Sequence, residues 1–184
     1  MRIALGSDHR GVQIKARLAH ALQEHKFEIM DEGTFGEASV DYPDFAEAVA
    51  KRVSGGDADR GILICGTGIG MAITANKFCG VRAAPCYDEV MVEMSRRHND
   101  VNVLCLPGDL IGDRSIDDLV LRWLQTGFDG GRHKDRLTKI DKIETVQCSQ
   151  LAHRVPASEG GCCIHDEVHQ EVISEPTTAD SSIS

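Results

Sequence analysis

The sequence predicts an α/β protein, a three-layer Rossmann-like fold in which a parallel sheet of about five strands is flanked by helices. Short β-branched runs alternate with amphipathic stretches over residues 1–144, as in successive βαβ units. The run 61–65 is continuously apolar, as expected for a central parallel strand covered on both faces. A chain of 184 residues is long enough for one such domain with an appendage.

Each element has its own local signal. The first helix carries apolar residues near a 3.6-residue period, and the second begins at Asp41, a candidate N-cap followed by Pro43. The predicted strands cover residues 3–6, 27–30, 61–65, 81–85 and 101–106. The predicted helices cover residues 11–25, 41–53, 69–77, 87–97 and 115–126, with a final charged helix after 131.

The composition changes at residue 145, so we divide the chain into a folded domain, residues 1–144, and a C-terminal extension, residues 145–184. The extension has one basic residue, Arg154, against six acids, and it ends in a Ser/Thr-rich stretch. This composition favours an acidic, mostly disordered segment. It also holds four soft-metal ligand types within eight residues, which leaves metal binding by the extension as an alternative: Cys162, Cys163, His165 and His169.

Charge and hydropathy exclude several classes of protein. A net charge of −9 excludes nucleic-acid binding through bulk positive charge. The apolar runs are too short to cross a membrane, and the first residues lack the apolar centre of a secretory signal. We therefore expect a cytoplasmic protein with neither a nucleic-acid nor a membrane partner. Its seven cysteines include no CxxC pair and are expected to be free thiols.

Candidate site residues follow from the rule that ligands bind outside the carboxyl ends of parallel strands. Polar or glycine-rich segments lie at residues 7–11, after the first strand, at 65–70, after the third, and at 97–100, before the fifth. The glycines of the second segment allow backbone N–H groups to converge on an anion. The segment lacks the Gly-Lys-Ser/Thr ending and the third glycine of nucleotide motifs, which disfavours ATP and NAD.

Several side chains near these segments have both a catalytic and a structural interpretation. Cys65 could be a base or nucleophile, or a small buried hydrophobe. His9 and His98 could transfer protons, or lie at helix ends for structural reasons. Arg132 and Arg136 share one helical face, which suits either a phosphate group or a solvated basic surface.

Taken together, six segments resemble the type B ribose-5-phosphate isomerases, a resemblance that spans residues 1 to about 144. They are Ser7-Asp8-His9-x-Gly11, Asp41-Tyr42-Pro43, Ile64-Cys65-Gly66-Thr67-Gly68-x-Gly70, Ala75-Asn76-Lys77, Arg97-His98-Asn99-Asp100-x-Asn102-Val103-Leu104 and Gly131-Arg132-His133-x-x-Arg136. The related galactose-6-phosphate isomerase subunits share this architecture.

The resemblance implies an isomerase that interconverts D-ribose 5-phosphate and D-ribulose 5-phosphate through ring opening and an enediolate, without a metal or cofactor. By resemblance, the catalytic residues are Cys65 as the base, Thr67 at the enediolate oxygen and His98 in ring opening. It also implies homodimers or homotetramers whose active sites combine residues from two subunits. The residues implied to bind substrate are Asp8, His9, Tyr42, Gly66, Gly68, Ile69, Gly70, Asn99, Asp109, Arg132 and Arg136.

Two positions test this resemblance. Some members have a glutamate base where this chain has Met71, so Cys65 identifies the cysteine type. Asp109 stands where the family commonly has a phosphate-binding arginine, and a carboxylate there would repel phosphate. Either the loop turns Asp109 away from the phosphate and lets Arg114 approach it, or the ligand differs from ribose 5-phosphate in that region. The alternatives are therefore an isomerase for a hexose 6-phosphate or an unusual pentose phosphate, and a non-catalytic module that binds sugar phosphates.

Overall fold

A computed structural model describes residues 1–109 and 116–152 of the chain. The strands in this part are β1 (Arg2–Ser7), β2 (Glu28–Asp31), β3 (Arg60–Cys65), β4 (Ala83–Pro85) and β5 (Val103–Pro107). The helices are α1 (Val12–Glu24), α2 (Tyr42–Ser54), α3 (Ile69–Ala75), α4 (Glu89–Asn99), α5 (Ile116–Gln125) and α6 (Arg132–Ala152).

The five strands form one parallel sheet in the order β2-β1-β3-β5-β4. Because all strands run the same way, the sheet has a carboxyl edge, where every strand ends, and an amino edge, where every strand begins. A crossover helix between parallel strands starts near the carboxyl edge and returns to the amino edge. Residues at the beginning of a crossover helix therefore lie near the carboxyl edge, and residues at its end lie near the amino edge.

Alternating side chains of the central strands fill a core on each face of the sheet. Ile62 and Ile64 lie in one apolar cluster with Leu18 of α1 and Trp123 of α5. Leu63 lies in the other, with residues of α2 and α3. Helices therefore cover both faces, which explains why β3 reads as a continuous apolar run. The predicted three-layer α/β fold with five strands is confirmed.

Helix α6 continues to Ala152, eight residues beyond residue 144, where the sequence placed the end of the folded domain. The residues from 153 to 184, with the four candidate metal ligands of the extension, lie outside the described part, as does Arg114. The division into two regions therefore stays a prediction. Within the described residues, none of the helices combines the length and the apolar character needed to cross a membrane.

Candidate active site

Cys65 is the last residue of β3 and is only 5% exposed. The backbone N–H of Gly68 donates a hydrogen bond to its Sγ, with an N to S distance of 3.1 Å. The turn depends on Gly68, which has φ +75° and whose missing Cβ would lie 3.2 Å from the carbonyl oxygen of Cys105. The glycine at this position therefore allows the turn to place a backbone donor on the Cys65 thiol.

Asp8 and His9 follow β1 and are held by the backbone around them. Asp8 is buried, and its backbone N–H donates a hydrogen bond to the carbonyl oxygen of Ile64 (3.1 Å). Asp8 Oδ1 accepts the backbone N–H of Arg10 (2.9 Å). His9 Nδ1 accepts the N–H of Val40 at 3.3 Å. In neutral His9 the proton is therefore on Nε2, which is the nitrogen left for a ligand.

Tyr42 and Thr67 lie beside residues 66–70, which we call the glycine turn. A Cβ on Gly70 would lie 2.6 Å from Tyr42 Cζ, so the Tyr42 ring packs directly on this glycine. Thr67 is exposed, and its Oγ1 accepts the N–H of Ile69 at 3.3 Å. Tyr42 thus lines the turn, and the Thr67 hydroxyl retains its proton for donation to a ligand.

Asp109, which follows β5, forms an ion pair with Arg10 across the first glycine of the turn. A Cβ on Gly66 would lie 2.8 Å from Asp109 Oδ2 and 3.0 Å from Arg10 Nε. The hydrogen bond and the charge of Asp109 raise the pKa of Arg10. The carboxylate that on its own would repel phosphate is thus neutralised by Arg10, a residue with no predicted role in the site.

We call these residues the carboxyl-edge cluster. It consists of Asp8, His9, Arg10, Tyr42, Cys65, residues 66–70 and Asp109. Of the predicted site residues, it unites Cys65 and Thr67 with eight of the substrate-binding set. A single sheet edge brings them together from four loops.

The remaining predicted residues are His98, Asn99, Arg132 and Arg136. They belong to a second group, the amino-edge cluster, together with Asp129 and His133, which were not predicted as site residues. The rings of His98 and His133 stack with centroids 4.2 Å apart. Burial and the charges of His98, Arg132 and Arg136 lower the pKa of His133. This cluster therefore has an excess of positive charge, which suits an anion.

Ligand atoms of His98, Asp129 and His133 all lie within 4.8 Å of one another, so these three residues could hold a metal ion. Asp129 is, however, bound to Arg97 with an N to O distance of 3.2 Å. The pKa of Asp129 is lowered by Arg97 in consequence. With its carboxylate engaged by a cation and two more arginines nearby, the group fits an anion better than a divalent cation.

The two clusters lie at opposite edges of the sheet. Cys65 ends β3 at the carboxyl edge, whereas α4 returns His98 and Asn99 to the amino edge. There, Asn102, just after α4, accepts the N–H of Gly61, near the beginning of β3. A strand of this length separates the clusters by about 15 Å. One chain does not bring His98 to Cys65.

The sequence of this chain matches a known protein family over most of its length. Residues 3–140 match the model of the family described as Ribose/Galactose Isomerase. The chain belongs to this family. The predicted resemblance and the predicted enzyme class, an isomerase, are thereby confirmed.

Relatives of this isomerase match over nearly their whole length. A putative sugar phosphate isomerase of Bacillus subtilis is 45% identical over 145 residues, which are 78% of this chain and 97% of that protein. The ribose-5-phosphate isomerase B of Escherichia coli is 43% identical over 143 residues, 78% of this chain and 96% of that protein.

Solved structures agree with the fold. The ribose-5-phosphate isomerase B of Clostridium thermocellum has a TM-score of 0.78 and 48% identity, and covers 80% of this chain and 99% of its own. The enzyme of Mycoplasma genitalium, solved with bound ribulose-5-phosphate, has a TM-score of 0.75 and 40% identity, with 78% of this chain and 96% of its own covered.

Proposed function

We propose that this isomerase interconverts D-ribose 5-phosphate and D-ribulose 5-phosphate with Cys65 as the base. The observation that carries the proposal is the buried Cys65 thiol, which accepts a backbone N–H at the carboxyl edge, beside Asp8 and the glycine turn. Relatives named as ribose-5-phosphate isomerases B support the choice of substrate.

The reaction moves one proton between neighbouring carbons. The Cys65 thiolate removes the proton from C2 of the open-chain aldose, and the electron pair forms the C1–C2 double bond of an enediolate. The negative charge collects on O1, where the Thr67 hydroxyl and the N–H groups of the turn donate hydrogen bonds. The thiol then returns its proton to C1, and the proton of the C2 hydroxyl passes to O1. C2 thereby becomes the carbonyl carbon of the ketose, O1 becomes a hydroxyl, and the thiolate is restored.

Ring opening and phosphate binding require the amino-edge cluster. His98 exchanges the proton between the ring oxygen and the C1 hydroxyl, with Asp8 binding sugar hydroxyls, and Asn99 contacts the enediolate. Arg132 and Arg136 are exposed, and among residues 1–109 and 116–152 neither has an ion-pair partner. Two guanidinium groups one helical turn apart suit a phosphate, and His9 Nε2 supplies a further contact.

Since the clusters lie at opposite edges, the proposed site needs a second copy of the chain. In a twofold dimer, His98 of the partner subunit approaches Cys65, and the reciprocal contact creates a second, equal site. Helix α3 supports this arrangement because Ile69 and Ile73, next to the glycine turn, are about half exposed. Apolar side chains at this position favour contact with another protein surface. A monomer is then inactive.

The Arg10–Asp109 ion pair also bears on the alternative functions. Asp109 was the reason for considering a different ligand or a non-catalytic module, because a free carboxylate repels phosphate. With Arg10 bound to it, that reason no longer applies. Ribose 5-phosphate therefore remains the substrate that the site supports best.

The test is conversion of D-ribose 5-phosphate to D-ribulose 5-phosphate by the purified protein and two variants. We expect turnover by the wild type, a loss of at least about 100-fold in Cys65→Ala, and near-normal turnover in Cys86→Ala, a buried cysteine outside both clusters. Treatment with a chelator should change nothing. Full activity in Cys65→Ala would refute the cysteine base, and preference for a hexose 6-phosphate would refute the substrate.

A further inference from the structure

Arg10 is the one residue of the carboxyl-edge cluster for which the resemblance provides no role. Its guanidinium is bound to Asp109 at the end of β5, and both groups lie against Gly66. We propose that Arg10 binds the phosphate group of the substrate and that Asp109 is a positioning residue that holds Arg10 over the site. This inference rests on the proposed function, whose substrate is a sugar phosphate.

Two close contacts hold the main chain at Arg10 in place. Its N–H donates to Asp8 Oδ1 at 2.9 Å, and the next residue, Gly11, packs so closely on β3 that an added Cβ would lie 2.8 Å from Ile64 Cγ2. The side chain therefore leaves the main chain at the carboxyl edge, beside His9.

The Arg10 side chain packs against Gly66, the first residue of the glycine turn. Its Nε would be 3.0 Å, and its Cδ 3.3 Å, from a Cβ on Gly66, so the stem rests on the space that the glycine leaves. The backbone N–H of Asp109 donates to the carbonyl of Gly66 at 3.2 Å. Both partners of the ion pair are thus anchored to the same residue, directly after Cys65.

The charge arrangement leaves Arg10 able to bind a second anion. A guanidinium has five N–H donors in a planar fork, and one carboxylate engages only part of them. The Arg10 side chain is 55% exposed, so its remaining donors face solvent at the opening of the cluster. Among the described residues, Asp109 is its one ion-pair partner. A phosphate held beside His9 Nε2 lies within reach of these donors.

An ion pair this exposed contributes little to folding stability, so a purely structural role explains little. The competing functional role is an electrostatic effect on Cys65, which is close enough for its thiolate to stabilise the charged form of Arg10. The two roles predict different kinetics. Phosphate binding changes KM and the affinity for inorganic phosphate, whereas an effect on the thiol changes kcat and the rate of thiol alkylation.

The experiment compares Arg10→Ala and Arg10→Lys with Arg17→Ala. Arg17 is a matched control, since it is an equally exposed arginine with one aspartate partner, Asp117, and it does not belong to the carboxyl-edge cluster. We expect Arg10→Ala to raise KM for ribose 5-phosphate about 10-fold or more, with kcat within about 3-fold. Arg10→Lys should recover part of this loss, and Arg17→Ala should behave as the wild type.

The role of Asp109 is tested by Asp109→Ala, alone and combined with Arg10→Ala. Alone, it should raise KM for ribose 5-phosphate several-fold, because Arg10 loses the carboxylate that holds it over the site. In Arg10→Ala the carboxylate remains without its cation and repels phosphate, so removing it as well should lower KM again by several-fold. An unchanged or lower KM in Asp109→Ala alone would overturn the positioning role.

Calorimetry with inorganic phosphate and alkylation of Cys65 by iodoacetamide separate the remaining outcomes. Weaker phosphate binding in Arg10→Ala at an unchanged alkylation rate supports the proposal. Unchanged KM and phosphate affinity, with or without slower alkylation, overturn it. If the wild type does not convert ribose 5-phosphate, the proposed function fails, but the calorimetric comparison still decides whether Arg10 binds phosphate.

Discussion

The substitution Gly68→Ala tests whether the glycine turn places a donor on Cys65 for the reasons given. Gly68 has φ +75°, and an alanine in this left-handed region costs about 1–2 kcal/mol. Its Cβ would also lie 3.2 Å from the carbonyl oxygen of Cys105, in a central strand that has no freedom to retreat. Overpacking of this kind adds about 1–2 kcal/mol, so the expected total is about 2–4 kcal/mol.

Gly56→Ala isolates the steric part of this cost. Gly56 has the same φ of +75°, but nothing lies within 4 Å of its Cβ position. We therefore expect Gly56→Ala to lose only about 1–2 kcal/mol. Both variants are compared with the wild type by urea unfolding at one fixed protein concentration, because association changes the apparent stability.

Activity provides the second measurement on the same pair. Gly68→Ala displaces the N–H that donates to Cys65 Sγ, so kcat should fall by about 10-fold or more, while Gly56→Ala should keep its kcat. If Gly68→Ala is no less stable than Gly56→Ala, the close packing against β5 is wrong. If it is also fully active, the donor to Cys65 has no catalytic importance.

Three further predictions follow from the contacts and charges. Gly70→Ala should push the Tyr42 ring outward, because the new Cβ would lie 2.6 Å from Tyr42 Cζ. We expect KM for ribose 5-phosphate to rise several-fold with little loss of stability in urea. An unchanged KM would exclude Tyr42 from the site. The pKa of His133 is lowered below its ordinary value of 6.5, so the unfolded chain binds a proton first and stability should fall as pH drops below about 6.5. His133→Asn should reduce this fall, measured as urea midpoint against pH, and equal slopes would contradict it. Burial raises the pKa of Cys86 to about 11 and the pKa of Cys105 well above its ordinary value. Both thiols should therefore stay unmodified when the folded protein is treated with iodoacetamide at pH 8 and should react after unfolding, as measured by peptide mass spectrometry.

The sequence predicts the order and type of all eleven described elements because each has a local signal. Boundaries differ where a long-range contact decides them. Strand β4 begins at Ala83 rather than at residue 81, since the N–H of Arg82 donates to the Asn102 side chain, 20 residues away. Helix α4 begins after Asp88, whose carboxylate accepts the N–H of Met91, a capping signal that the sequence analysis did not use.

The site was predictable to the extent that strand ends determine it. Cys65, Asp8 and the glycine turn meet because parallel strands end at one edge. The Arg10–Asp109 ion pair was missed because its partners are 99 positions apart, although opposite charges after strands that flank β3 could have indicated it. His98 precedes a strand, and this position already places it at the opposite edge.

The central claim is that Cys65 of one chain acts with His98 of the partner subunit, and mixed dimers test it directly. Cys65→Ala and His98→Ala are each expected to be inactive alone. The two variants are unfolded together in equal amounts, refolded and assayed with ribose 5-phosphate, beside wild-type protein treated in the same way.

Random pairing makes half of the dimers mixed, and each mixed dimer has one site with both wild-type residues if the site is shared. A shared site therefore gives the mixture roughly a quarter of the refolded wild-type activity. If Cys65 and His98 of the same chain formed the site, every site in the mixture would lack one of them. An inactive mixture beside an active refolded wild type would show that Cys65 and His98 of the partner subunit do not form one site.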